Sequence, residues 1–248
     1  YRSHPFSKQR LEQVRRYKLQ YQKVSLVEQK ILLNNNIISL PYIKNKIKAY
    51  SVDPNELIKN TENKNEFLSN YLQMIALYRL GKYDLAHIKL SLIEKTYTKY
   101  PFFYEFKGDI HYKEGNFNIA IKEYEKAIRT LQEVFNPSTD LIKFSLIKTY
   151  LQTNNSTNLN KSINLLEELL LNNPNWSYLW RLLSKASGRL NKKGMAYIAL
   201  AEEALIKKNF IKAKKYVDLA NKQASLPISY KLRGSDILNK IKLKYKKK

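Results

Sequence analysis

His4, His87 and His111 are the only histidines in the chain, and there is no cysteine. Two imidazoles share a metal ion on one helix when they lie four residues apart, as in His-Glu-x-x-His. No pair of these three has that spacing, and the motif is missing. Without cysteine there is no thiolate nucleophile and no disulfide framework, so nothing about compartment follows from redox chemistry. A Gly-rich phosphate loop and a Gly-x-Ser-x-Gly elbow are missing too. These absences read against chemistry carried out by this chain itself. His87 and His111 stand beside Ala86 and Tyr112 at helical positions, where a hydrogen-bonded structural imidazole is expected.

What remains is binding chemistry. Arg181, Lys185 and Arg189 recur every four residues and so share one helix face, where they can hold a carboxylate or phosphate or form an ordinary solvated surface. Tyrosine and arginine combine large contact area with a polar tip. Nineteen tyrosines are present, so individual ones are equally readable as helix-packing residues.

The elements that must position these side chains follow from a repeat. Gly81 and Gly115, Ala86 and Ala120, and Tyr83 and Phe117 are all 34 residues apart. The second unit runs from Pro101, Phe102, Phe103 and Tyr104 through Gly108, Gly115 and Ala120 to Tyr124 and Ala127. Small residues at these points let two helices approach, aromatics fill the space beside them, and Gly115–Asn116 turns the chain between them. A 34-residue helix–turn–helix period with this pattern is that of the tetratricopeptide (TPR) repeat.

A looser third unit is expected, with helices over about 138–151 and 161–171, a closing Pro174, and the polar insertion Thr153–Asn158 as an exposed interhelix loop. From Trp176 the frame is ambiguous, since Trp180 opens one repeat while Gly194, Phe210, Ala213 and Ala220 fit another. Both frames predict helices over about 177–189, 194–207, 210–224 and 228–244, with Lys246, Lys247 and Lys248 at a frayed, polar end. The fold class is therefore all-α, a TPR-type helical-hairpin solenoid forming a right-handed superhelix, of about four to five repeats over residues 65–248. Residues 1–64 form a helical lead-in. Leu11, Val14 and Leu19, then Ile43, Ile47 and Tyr50, allow amphipathic helices on either side of Pro41, and Asp53–Pro54 marks a turn.

Composition agrees with a folded helical chain. Of 248 residues, 44% are hydrophobic, and only 6 Gly and 7 Pro are available for hairpin turns. The formal charge of +24 raises nucleic acid or an anionic surface as partners. Lys, Asn, Ile and Tyr are abundant together, however, the bias of an AT-rich coding sequence in which Lys replaces other solvated residues, so no specific nucleic-acid partner is expected. No stretch approaches the eighteen apolar residues that would span a bilayer.

Several segments resemble one family, the bacterial envelope zinc metalloproteases of the BepA type, in the HtpX/Ste-like clan, which carry a C-terminal TPR domain. Ser3, His4, Pro5 and Phe6, with Arg10 and Leu11, resemble the His-Pro segment that ends the protease domain. Tyr104, Glu105, Phe106 and Lys107 resemble its first well-formed repeat, and Ala196–Ala204 with Glu202 and Glu203 resembles a later helix. The resemblance covers the TPR half alone. It implies a domain that docks protein or peptide clients, outer-membrane assembly components among them, for periplasmic quality control in a Gram-negative envelope. Catalytic zinc would sit in a separate protease domain, which would make His4 an active-site-loop remnant, although in this chain by itself His4 reads first as an exposed end; this chain needs no cofactor. A free-standing basic TPR adaptor is the first alternative, and a nucleic-acid-binding helical repeat protein the second.

In a TPR stack the first helices of successive repeats line the concave face, which suits an extended peptide or a partner helix. By the repeat frame that face comprises Leu68, Tyr71, Ile75, Tyr78 and Arg79 in one unit. Phe102, Glu105, Asp109, Tyr112 and Lys113 follow in the next, and Tyr178, Arg181, Lys185 and Arg189 in the unit of Trp180.

Overall fold

The computed structural model describes residues 40–62, 67–96, 101–134 and 139–246; His4, the His-Pro segment, Leu11, Val14, Leu19, Lys247 and Lys248 lie outside them. All regular structure among the described residues is helical. The chain divides into two compact units, Tyr1–Tyr100 and Pro101–Lys248.

The first unit contains α1 (Leu40–Ser51), α2 (Pro54–Thr61), α3 (Phe67–Arg79) and α4 (Tyr83–Thr96). Asp53–Pro54, expected as a turn, instead starts α2. The Asp53 carboxylate accepts from the amides of Asn55 (2.9 Å) and Glu56 (3.1 Å), and proline fits the first helical turn because its missing N–H has no partner there. α3 packs against α1, α2 and α4, and that is why every residue from Ser69 to Leu77 is buried, polar ones included. Gln73 meets the cost of its burial by donating to the Thr61 carbonyl at 2.7 Å, one of the acceptors left over at the end of α2.

The second unit is a run of eight helices. These are α5 (Pro101–Lys113), α6 (Phe117–Val134), α7 (Asp140–Tyr150), α8 (Ser156–Asn172), α9 (Ser177–Arg189), α10 (Lys193–Ile206), α11 (Phe210–Asn221) and α12 (Ile228–Lys246). Each packs on the next. In α5–α6 the small residues do what their spacing predicted. Gly108 is buried under the Tyr124 ring, and Ala120 and Ala127 are fully buried. Leu159, Ile163, Leu166, Leu179, Trp180 and Leu183 form part of a core between α8 and α9, and Ile198, Ala213, Val217, Tyr230 and Ile237 part of one joining α10, α11 and α12.

One turn recurs. At Gly81, Gly115, Asn191 and Lys208 the second residue after the helix has φ of 73°, 80°, 56° and 59°. In each, the next amide reaches back to the fifth carbonyl before it: Lys82 to Leu77, Asn116 to His111, Lys192 to Ser187 and Asn209 to Ala204, at 2.8–2.9 Å. This is the Schellman closure, which satisfies carbonyls orphaned at a helix end. Its appearance on both sides of α10 explains the double frame. Because α9–α10 and α10–α11 are hairpins of the same kind, α10 serves as the second helix of one repeat and the first of the next.

The polar insertion is shorter than expected. Only Thr153, Asn154 and Asn155 precede α8, because the Asn155 side chain accepts from the amides of Thr157 (2.8 Å) and Asn158 (3.3 Å) and starts the helix at Ser156. Asn221 ends α11 three residues early.

Candidate interaction surface

The side chains expected to line a groove separate into three groups. Tyr71 and Ile75 are 4% and 1% exposed and belong to the core around α3, with Tyr71 stacked on Phe67 at 6.3 Å. Neither offers a surface to a partner. Leu68, one turn away, is at the solvent boundary, and Tyr78 is half-buried with its ring 6.0 Å from that of Tyr83.

A second group is cationic and already committed within the fold. Arg79 donates through Nη1 to the carbonyls of Ala49 (2.7 Å) and Val52 (2.5 Å), closing the C-terminal end of α1. Arg189 repeats the device, donating to the carbonyls of Leu151 (2.6 Å) and Thr153 (2.7 Å) and to Asn154 Oδ1 (2.6 Å) just past α7. A cation at a helix C-terminus meets both the orphan carbonyls and the negative end of the macrodipole. Arg181 donates from Nε (2.9 Å) and Nη2 (2.5 Å) to Glu203 Oε1. The expected Arg181–Lys185–Arg189 stripe is thus not a clamp for an external anion. Two of its three members are engaged, and only Lys185 stands exposed without a partner among the described residues.

Glu203 is central to a polar network inside the second unit. Its side chain is 9% exposed and takes Lys207 (2.5 Å) as well as Arg181. Burial raises its carboxyl pKa, but the hydrogen bonds from Arg181 and Lys207 outweigh burial and hold it below the ordinary carboxylate value. Neighbouring Glu202 accepts from Arg233 on α12 at 3.0 Å, and the Arg233 guanidinium lies 4.9 Å over the Trp180 ring. The Tyr230 hydroxyl donates to Glu167 on α8. Burial, followed by this neighbouring carboxylate, raises the Tyr230 pKa, and burial and Glu125 do the same for Tyr150, so both phenols stay neutral donors. The helix whose Glu202 and Glu203 carry part of the family resemblance uses both to tie α9 and α12 to α10.

The third group forms a connected surface. The Tyr112 ring meets Phe117 at 5.8 Å and its hydroxyl accepts from Gln152 at 3.3 Å. Lys148 on α7 places its ammonium 5.9 Å from the Tyr112 ring and 5.0 Å from that of Phe144. Phe144 in turn meets Trp176 at 5.0 Å and Tyr178 at 6.0 Å. Tyr112, Lys148, Phe144 and Tyr178 therefore make a continuous array across α5, α7 and α9. All are half-buried except Tyr178, which is 44% exposed. Such an array offers apolar area, a cation held by π faces and hydroxyl tips, a combination suited to holding a polypeptide segment.

Tyr112 and Tyr178 were expected on this surface; Phe144 and Lys148, which join them, were not. The available signal was that Phe144 and Tyr178 are themselves 34 residues apart. Glu105 and Asp109 on α5 are half-buried, and Asp109 Oδ1 accepts the Tyr124 hydroxyl at 2.6 Å, a packing role. Lys113 is exposed at the end of α5, and Phe102 packs on the α6–α7 core. His111 Nδ1 lies 3.0 Å from Glu114 Oε2, the structural contact anticipated for it. Beside the array's outer turns, Phe117 and Ile119 together with Asn116, Asn118, Thr153 and Asn154 line an open cleft of mixed polar and apolar character.

The His-Glu-x-x-His motif of the family resemblance does not occur in this chain. Among the described residues no helix is long and apolar enough to cross a membrane. No protein-family profile matches the chain, and no curated protein does. Among solved structures, the C-terminal part of a TPR repeat-containing protein from Cytophaga hutchinsonii is similar over 87% of this chain and 93% of that one, at 16% identity and a TM-score of 0.33.

Proposed function

We propose that the chain is a protein-interaction module that holds a polypeptide segment on the Tyr112–Lys148–Phe144–Tyr178 array. The observation that carries this is the unbroken ring-to-ring and cation-to-ring contact across three successive first helices, with Tyr178 open to solvent. Hot-spot energy concentrates on aromatic and cationic side chains of this kind. Panning a random-peptide phage library against the full chain tests it. Enriched peptides should lose about tenfold in affinity with Tyr178→Ala and with Lys148→Ala while the helical circular dichroism is retained. Peptides indifferent to both changes would move the site elsewhere.

The finer reading is a docking half of an envelope zinc metalloprotease, acting in the periplasm on outer-membrane assembly components or their unfolded clients. Its support is the resemblance of Ser3–Phe6, Tyr104–Lys107 and Ala196–Ala204 to that family. Coding sequence upstream of Tyr1 that specifies a His-Glu-x-x-His helix and an apolar signal segment would bear it out. A start codon directly before Tyr1 would leave a free-standing basic adaptor.

A further inference from the structure

We infer that the outward face of α12 is a second docking surface, one that takes an acidic amphipathic helix. The core face of α12 is Tyr230, Gly234, Ile237 and Ile241, all buried. Ile228, Leu232 and Leu243 each lie two residues from a core position, which at 100° per residue places them on the opposite side of the helix. They are 77%, 63% and 62% exposed. A helix that already buries one apolar face carries a second, unpartnered aliphatic stripe.

Charge decides what covers it. Lys231 and Lys242 flank the stripe on one side and Lys240 on the other, all exposed and without an ion-pair partner among the described residues. Asp236 is the only acidic residue of α12. A second copy of this face would bring lysine against lysine and be repelled. A single strand would need ring faces for base stacking, which the aliphatic stripe lacks, and a duplex held through its phosphates would leave the aliphatic residues uncovered. An anionic bilayer would receive an interrupted face, since Ser235, Asp236 and Asn239 stand between Leu232 and Leu243. A helix with leucines on one side and glutamates along both margins satisfies the stripe and the lysines together, leaving the central polar residues at a wet contact.

This inference rests on the interaction-module reading only in taking a polypeptide as ligand, and it uses no residue of the aromatic array. The probe is a synthetic helical peptide with Leu at i, i+4, i+11 and i+15 and Glu on both flanks, bound to the full chain and followed by fluorescence anisotropy. Leu232→Asp should weaken binding about tenfold, and the Lys231→Glu/Lys242→Glu pair should do the same. Tyr178→Ala should leave it unchanged, and indifference of the phage peptides to that change would count against the array and not against α12. Equal binding of a peptide with its leucines replaced by serine would show polyanion attraction only and overturn the inference. So would binding to phosphatidylserine vesicles or duplex DNA in preference to the peptide, or indifference to Leu232→Asp.

Discussion

Gly108→Ala and Gly188→Ala make the same chemical change inside two helices of the second unit, and they should act in opposite directions. Replacing a mid-helix glycine by alanine ordinarily stabilises by about 0.5–1 kcal/mol, because alanine loses less backbone freedom on folding. At Gly188, the last residue but one of α9, a Cβ meets nothing within 4 Å, so the change should stabilise by up to that amount. At Gly108 the new Cβ would lie 2.6, 2.7 and 2.9 Å from Cε1, Cδ1 and Cζ of Tyr124. That ring has nowhere to retreat, being 2% exposed and held at its hydroxyl by Asp109 at 2.6 Å. Overpacking of this kind costs about 1–3 kcal/mol, enough to reverse the propensity gain. At about 2–4 °C per kcal/mol for a chain of this size, the net cost at Gly108 of about 0.5–2 kcal/mol should lower Tm by about 1–8 °C, and Gly188→Ala should raise it by up to about 4 °C. Thermal unfolding of the full chain by far-UV circular dichroism measures both. A Gly108→Ala/Tyr124→Leu cycle adds the mechanism, since a smaller side chain at 124 should absorb the methyl and show a favourable coupling of about 1 kcal/mol. Shifts of the same sign at both glycines, or strict additivity in the cycle, would refute the argument that Gly108 is needed for close approach.

Two further measurements test the turn and the buried network. Lys208 adopts φ 59° with a full side chain, a conformation costing about 1–2 kcal/mol outside glycine, partly recovered by glycine's greater freedom when unfolded. Lys208→Gly should therefore raise Tm by about 1–4 °C, and a fall would contradict the strain. Glu203, with its pKa held below the ordinary 4.5, contributes stability that is complete well above that value and is lost as pH falls through and below it. Between pH 6 and 3 the Tm of the unmodified chain should drop more steeply than that of Glu203→Gln; parallel curves would show that the carboxylate contributes nothing.

The helices were legible because their signals are local. Gly81 and Gly115 mark turns by their freedom at positive φ, and Gly108, Ala120 and Tyr124 mark a close helix pair by size. The frame after Trp176 was not legible, because Asn191 and Lys208 make the glycine turn without glycine. The surface was legible only in part. Periodicity places Arg181 and Arg189 on one helix face, but their partners lie 22 and 35–38 residues away, on α10 and in the loop after α7, and no spacing within α9 announces them. Tyr71 and Ile75 were misplaced for a related reason. α3 is covered by three helices, two of which, α1 and α2, lack the repeat pattern that would have shown them.

The arginine clamps also bear on how such a chain withstands mutation. Arg79 and Arg189 grip mainly main-chain oxygens, at Ala49, Val52, Leu151 and Thr153. A carbonyl is supplied by every amino acid, so the acceptor side of each contact cannot be deleted by changing a side chain. In a chain this rich in Lys, the helix–helix joints at these places depend on retaining one arginine each, and the contact itself sets no requirement on the side chains at the positions gripped.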